Sequence, residues 1–130
     1  MVEVEGCNPG RRATVTLVVG EADTARAMRS GDVPVLASPR IVALAEEASV
    51  KALGEALPPG KTSVGAWIEL EHTAPSNVGA TVRAEAVLLG VHGRRLEFSV
   101  SVHEGDAEVA HVRHRRVIVS RSRFEAPAGT

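Results

Sequence analysis

The sequence predicts an α+β domain in which an antiparallel five-stranded sheet packs on one long helix. Three observations carry that reading. Residues 38–57 repeat apolar side chains at helical spacing, the pattern changes to period two from about residue 62 onward, and the strand candidates there are separated by PSNVG, HGR and EGD, all rich in turn formers. At 130 residues, 44% of them hydrophobic, the chain fits a single domain with one core.

Taken in order, MVEVEGCNPG lacks the basic flank and apolar run of a signal peptide, and no stretch approaches the roughly 20 apolar residues of a spanning helix. The expectation is a cytoplasmic protein with no membrane contact. Residues 1–11 and 125–130 are expected to be flexible ends. Cys7, the sole cysteine, sits near the first of them, which excludes an internal disulfide and a multi-cysteine metal cage. Residues 12–19, RATVTLVV, are β-branched and read as a first strand that Gly20 breaks. EADTARAM is a weak helix signal and SGDVPVLA a loop. In the long helix Ser38 reads as the cap, Pro39 as the first helical residue, and PPGK after Leu57 as the stop. Four strand candidates follow at 62–73, 80–91, 95–103 and 107–119, the last three joined by turns short enough for antiparallel hairpins. RSRFEAPAGT reads as a tail that frays after Phe124.

Projected at 3.6 residues per turn, the helix places Arg40, Glu47, Lys51 and Glu55 on a narrow wet arc, with Glu47 and Lys51 spaced to pair. Glu46 instead projects among apolar residues, between Leu53 and Leu57. A carboxylate there needs a partner or a use. Strict alternation along residues 62–73 puts Val64, Ala66, Ile68, Leu70 and His72 on the helix-facing side, and Trp67, Glu69, Glu71 and Thr73 on the other. Glu46 and His72 are thus expected in the same helix–sheet interface.

Each candidate also has a bland reading: Ser38 as a helix cap, Glu46 as an edge carboxylate paired to an arginine, His72 as a core-edge histidine satisfied by a carbonyl. Together, a hydroxyl at a helix start, a carboxylate two turns on and an opposing imidazole make an acid/base and nucleophile set, and acyl transfer or hydrolysis is the natural class. His111 and His114, three apart on a strand, face opposite ways and make no metal pair; His114 reads as structural, His92 and His103 as solvated. A net charge of −1 argues against a nucleic-acid partner, although 13 of the 15 basic residues are arginine.

At these residues the chain resembles the hotdog-fold thioesterases. VLAS, with Glu46 eight residues after the serine, and then SVGAWIELEHTAPSNVGATV, resemble the fluoroacetyl-CoA thioesterase-like subfamily over about residues 12–124. Carried over by position, the resemblance implies catalytic roles for Ser38, Glu46 and His72 and a substrate-side backbone at Gly65. It implies a sheet wrapped around the central helix, a homodimer or higher oligomer with acyl-CoA near the subunit interface, and hydrolysis of a small acyl-CoA to the acid and free CoA. No metal is implied, and CoA enters only as part of the substrate. Two departures stand out: the best-known members carry threonine where this chain has Ser38, and SGDVPVLA lacks their aromatic residues, which makes fluoroacetyl an unexpected acyl group. The alternative is a non-catalytic hotdog domain that binds an acyl or other small ligand.

Overall fold

The computed structural model describes residues 7–126. The elements run β1 (Arg12–Val18), a 3-10 turn (Glu21–Asp23), α1 (Ala25–Met28), α2 (Ser38–Leu53), β2 (Lys61–His72), β3 (Thr81–His92), β4 (Arg95–Glu104), β5 (Ala107–Ser120) and α3 (Arg121–Glu125). The five strands form one sheet in the order β1-β3-β4-β5-β2, and every pairing is antiparallel. The expected α+β architecture of one sheet around one long helix is what the chain adopts.

The core is the seam between α2 and the sheet. Ile41, Leu44, Ala45, Ala48 and Ala52 are buried against Val82, Ala84, Ala86 and Leu88 of β3 and Leu96, Phe98, Val100 and Val102 of β4. Alanines on both sides of the seam let the backbones lie close, and Ile41, Leu44, Leu88, Leu96 and Phe98 fill the space that remains, so apolar area is removed from water at high packing density.

Four local expectations are corrected. The helix includes Ser38 as its first residue; Ala37 is the cap position, and its N–H is taken by the Asp23 carbonyl at 2.9 Å. Ser38 therefore does not cap. The helix also ends at Leu53, because Gly54 turns to φ 53° and closes the last turn onto Val50 O, leaving Ala56 and Leu57 as a half-buried loop. The expected Glu47–Lys51 pair is replaced by a bond from Lys51 Nζ to Thr14 O at 2.9 Å. Finally, Cys7 is buried and Gly10 N–H bonds Leu88 O at 2.8 Å, so residues 7–11 are held against the sheet rather than loose; residues 1–6 lie outside the described residues. Burial pushes the Cys7 thiol above its ordinary 9.0, partly offset by Arg11.

The consequential difference is a bulge in β2. Gly65 pairs with Arg116 and Trp67 with Arg115, so Ala66 is the extra residue and the alternation flips there. Ile68, Leu70 and His72 face the helix as predicted, but before the bulge it is Ser63 and Gly65, not Val64 and Ala66, that share this face with the buried Ile118 and Arg116 opposite them.

Candidate active site

The bulge brings a glycine beneath Glu46. A Cβ built on Gly65 would lie 2.7 Å from Glu46 Oε2 and 3.3 Å from His114 Cε1, so the carboxylate rests on the strand where only glycine leaves room. On β5, His114 and Arg116 replace the apolar residues that continue the core at Val112 and Ile118. Arg116 is 6% exposed. All three nitrogens of its guanidinium are engaged: Nε donates to Ser63 Oγ at 2.8 Å, Nη2 to Ser63 O at 3.1 Å, and Nη1 to His114 Nε2 at 3.1 Å and to Glu46 Oε2 at 3.5 Å.

That network fixes the proton on His114. Arginine can only donate, so His114 Nε2 accepts, and Nδ1–H must then donate to Trp67 O at 2.9 Å. The ring is neutral, and burial, with Arg116 adding to it, holds its pKa below the ordinary 6.5 despite the pull of the Trp67 carbonyl and Glu46. Burial likewise lowers Arg116 from its usual value, with Glu46 opposing. The Glu46 side chain remains 41% exposed while its cationic partner is buried. The carboxylate thus faces solvent from a rigid seat, at an open cavity of about 320 Å³ that Gly65, Trp67, Ile68 and His114 complete.

The second pair lies at the start of the helix. Ser38 Oγ and His72 Nδ1 are 2.8 Å apart, and His72 Nε2 is buried with no hydrogen-bond partner among the described residues. His72 lines a separate recess of about 190 Å³ with Thr73, Ala74, Pro75 and Val35. Ser38 and Glu46 are eight residues apart on one helix, about 12 Å along its axis. The sequence reading placed Glu46 and His72 in one interface. They do share the seam between helix and sheet, but at separate points along it: within one chain the structure assembles Ser38 with His72, and Glu46 with Gly65, as two distinct pairs.

Arg116 and His114 were not singled out by the sequence reading, which took His114 as structural. The available signal was a cation and an imidazole two apart in the inward row of β5, where a charge requires an acid opposite. His111 faces the other way, as expected, with Nε2 3.4 Å from Ser99 Oγ. Among the described residues no group of three or more His, Cys, Asp or Glu could hold a metal ion, and no helix is long and apolar enough to cross a membrane.

Residues 19–122 match the model of the family described as fluoroacetyl-CoA-specific thioesterase. The fluoroacetyl-CoA thioesterase of Streptantibioticus cattleyicolor is 35% identical over 128 residues, covering 94% of this chain and 92% of that protein. Among solved structures, a mutant of the fluoroacetyl-CoA thioesterase FlK in complex with acetyl-CoA superposes with a TM-score of 0.84 at 35% identity, over 90% of this chain and 92% of that one. A thioesterase-superfamily protein from Thermus thermophilus gives 0.86 at 27% identity over 93% and 90% of the two chains. A match spanning most of the length, on the same sheet and helix, places this chain in the fluoroacetyl-CoA-specific thioesterase family.

Proposed function

We propose that this protein hydrolyses a small acyl-CoA thioester to the carboxylic acid and free CoA, with Glu46 as the reacting carboxylate. The observation that carries this reading is the seat of Glu46: a half-exposed carboxylate held by a buried arginine over a glycine, at the mouth of a cavity. Catalysis rewards a group fixed before the substrate arrives, since no reorganisation is then required in the transition state. Membership of a thioesterase family supplies the reaction class.

The spacing of the two pairs calls for a second copy. β2 is an edge strand of twelve residues, and an open edge of that length is a surface for pairing. A homodimer formed through β2 would bring Ser38 and His72 of one protomer toward Glu46 and Gly65 of the other, and acyl-CoA would bind between them. Symmetry then gives two identical composite sites.

In such a site the thioester carbonyl lies near the Gly65 backbone and the start of the partner's α2, whose positive end stabilises the oxyanion. Ser38 orients the acyl group or a water. Glu46 either attacks the carbonyl, forming an anhydride that water then opens, or takes a proton from water as it attacks. In both routes the C–S bond breaks and His72 delivers a proton to the leaving thiolate. With Glu46 as base, water supplies the new oxygen of the acid, whereas an anhydride opened by water at the Glu46 carbonyl passes a Glu46 oxygen to the acid and takes the water oxygen in its place. A single turnover in heavy-oxygen water separates them, because only the anhydride route can leave label in the Glu46 carboxylate. We read the protein as one cytoplasmic domain that needs no cofactor and engages neither nucleic acid nor membrane. Release of free thiol from a panel of short acyl-CoAs tests the function; a folded protein that binds them but releases no thiol would instead be a ligand-binding hotdog domain.

A further inference from the structure

A further concave surface lies beyond the acyl site. Lys61, Arg94, Arg123 and Phe124 surround a cavity of about 330 Å³ where β2 begins and β5 ends. No acidic residue lines it, and among the described residues none of the three cationic side chains has an ion-pair partner; nearby Glu125 is taken by Arg121 at 3.6 Å. Three like charges around one recess repel one another, and an anion between them relieves that repulsion. The surrounding backbone is pinned: Ile118 N–H bonds Arg94 O at 2.8 Å, Lys61 N–H bonds Pro58 O at 3.1 Å and Arg121 N–H bonds Gly60 O at 2.9 Å. Phe124, 62% exposed, offers a ring face beside the cations.

We propose that this cavity takes the nucleotide end of CoA, its phosphates against Lys61, Arg94 and Arg123 and its adenine against Phe124. The inference rests on the acyl-CoA reading above and assigns residues to the part of the substrate that reading leaves unplaced. Recognition of a phosphate by arginine and of a base by an aromatic face are general devices. What ties this cavity to the acyl site is another recess of about 200 Å³, with Val50, Leu53 and Leu57 on one wall and Thr62 and Arg121 among its polar lining, that shares Lys61 with the basic cavity and includes Ser63, the residue that grips Arg116 under Glu46. Lys61 and Gly65 are four residues apart on β2, about 13 Å along the strand. The order of surfaces, a carboxylate, then a trough with one apolar wall and one polar wall that includes Thr62 and Ser63, then a basic pocket with an aromatic, is the order of groups along an acyl-CoA, whose pantetheine arm carries both methylenes and amides.

The experiment combines kinetics with binding. Arg94→Glu and Arg123→Glu are expected to raise KM for the best acyl-CoA by about tenfold or more each, the scale of one lost charge-assisted contact. Their KM for the corresponding N-acetylcysteamine thioester, which has no nucleotide, should equal that of the wild type. Raising the salt should reproduce the same split in the wild type without any substitution. Calorimetric titration with adenosine 3′,5′-bisphosphate should show binding to the wild type and its loss in both variants. An unchanged acyl-CoA KM in both folded variants overturns the assignment; if bisphosphate binding is lost at the same time, the cavity serves a free nucleotide instead. Should the wild type bind the bisphosphate with loss in both variants yet release no thiol from any acyl-CoA, the hydrolase reading fails while the pocket stands.

Discussion

The two halves of the sheet beneath α2 receive the same helix and use it differently. Under β3 and β4 the inward rows are wholly apolar, and Leu44, Ala48 and Ala52 lock against Val82, Ala84, Phe98 and Val100 with no polar side chain between. Under β2 and β5 the inward rows carry Ser63, Gly65, His114 and Arg116, and the helix answers with Glu46. One half stabilises the fold, and the other spends part of that stability holding a charge network at the surface. Burying Arg116 and His114 is costly unless their polar atoms are partnered, and the four bonds of Arg116, which engage all three of its side-chain nitrogens, and the two of His114 partner them.

Substitutions in the two halves should therefore fail in different ways. In the polar half, Glu46→Gln and His72→Ala should each lower kcat by about a hundredfold or more, the scale of a positioned acid or base, with the melting temperature close to wild type. Glu47→Gln, one residue away on the wet face, should change little. In the dry half, Leu44→Ala should cost about 2–5 kcal/mol of unfolding free energy in denaturant titrations while turnover per folded molecule is kept. Gly65→Ala sharpens the contrast, because its methyl would displace Glu46 Oε2 rather than open a void; turnover should fall about tenfold to a hundredfold with modest loss of stability.

Smaller effects separate the halves by pH. His114 is held neutral below its ordinary 6.5, so as pH falls past that value the unfolded chain takes up a proton that the folded chain refuses. More protons on the unfolded state mean that stability declines from pH 6.5 down to the lowered pKa of the folded ring, and that this group contributes no slope above 6.5. Thermal melts of His114→Asn over that window should be flatter than those of the wild type. The smallest change is expected from Ser38→Thr, which keeps the hydroxyl facing His72 and should retain most activity.

Much of this arrangement was legible in the sequence because periodicity reports burial directly. In the dry half the inward rows Val82, Ala84, Ala86, Leu88 and Leu96, Phe98, Val100, Val102 came out as read, because the irregularity of β3, between Leu88 and Gly90, falls beyond the row that was read. The polar half was harder for a definite reason. Val64 and Ala66 are as apolar as an inward row requires, so a strict period of two fits Val64, Ala66 and Ile68 and conceals the bulge at Ala66. Without the bulge, Gly65 points away from the helix, Arg116 has no visible acid, and His114 looks like packing. Ser38 and Glu46 were visible as residues, but their separation along the helix follows from rise per residue, and it is this separation that turns a supposed triad into two pairs. The helix end at Gly54 was missed because a glycine within an apolar pattern looks the same in sequence whether the helix tolerates it or stops there.

The central claim is that the Ser38–His72 pair of one copy works with the Glu46–Gly65 seat of another, and mixing two inactive variants tests it most directly. In the proposed dimer, Glu46→Gln and His72→Ala homodimers would each lack a needed group in both sites. Co-refolded in equal amounts, they should regain about a quarter of wild-type turnover, since about half the dimers are mixed and each mixed dimer has one intact site and one doubly altered site. Activity that stays at the level of the separate variants, with mixed dimers demonstrated by differential tagging, would contradict the shared site and return catalysis to a single chain.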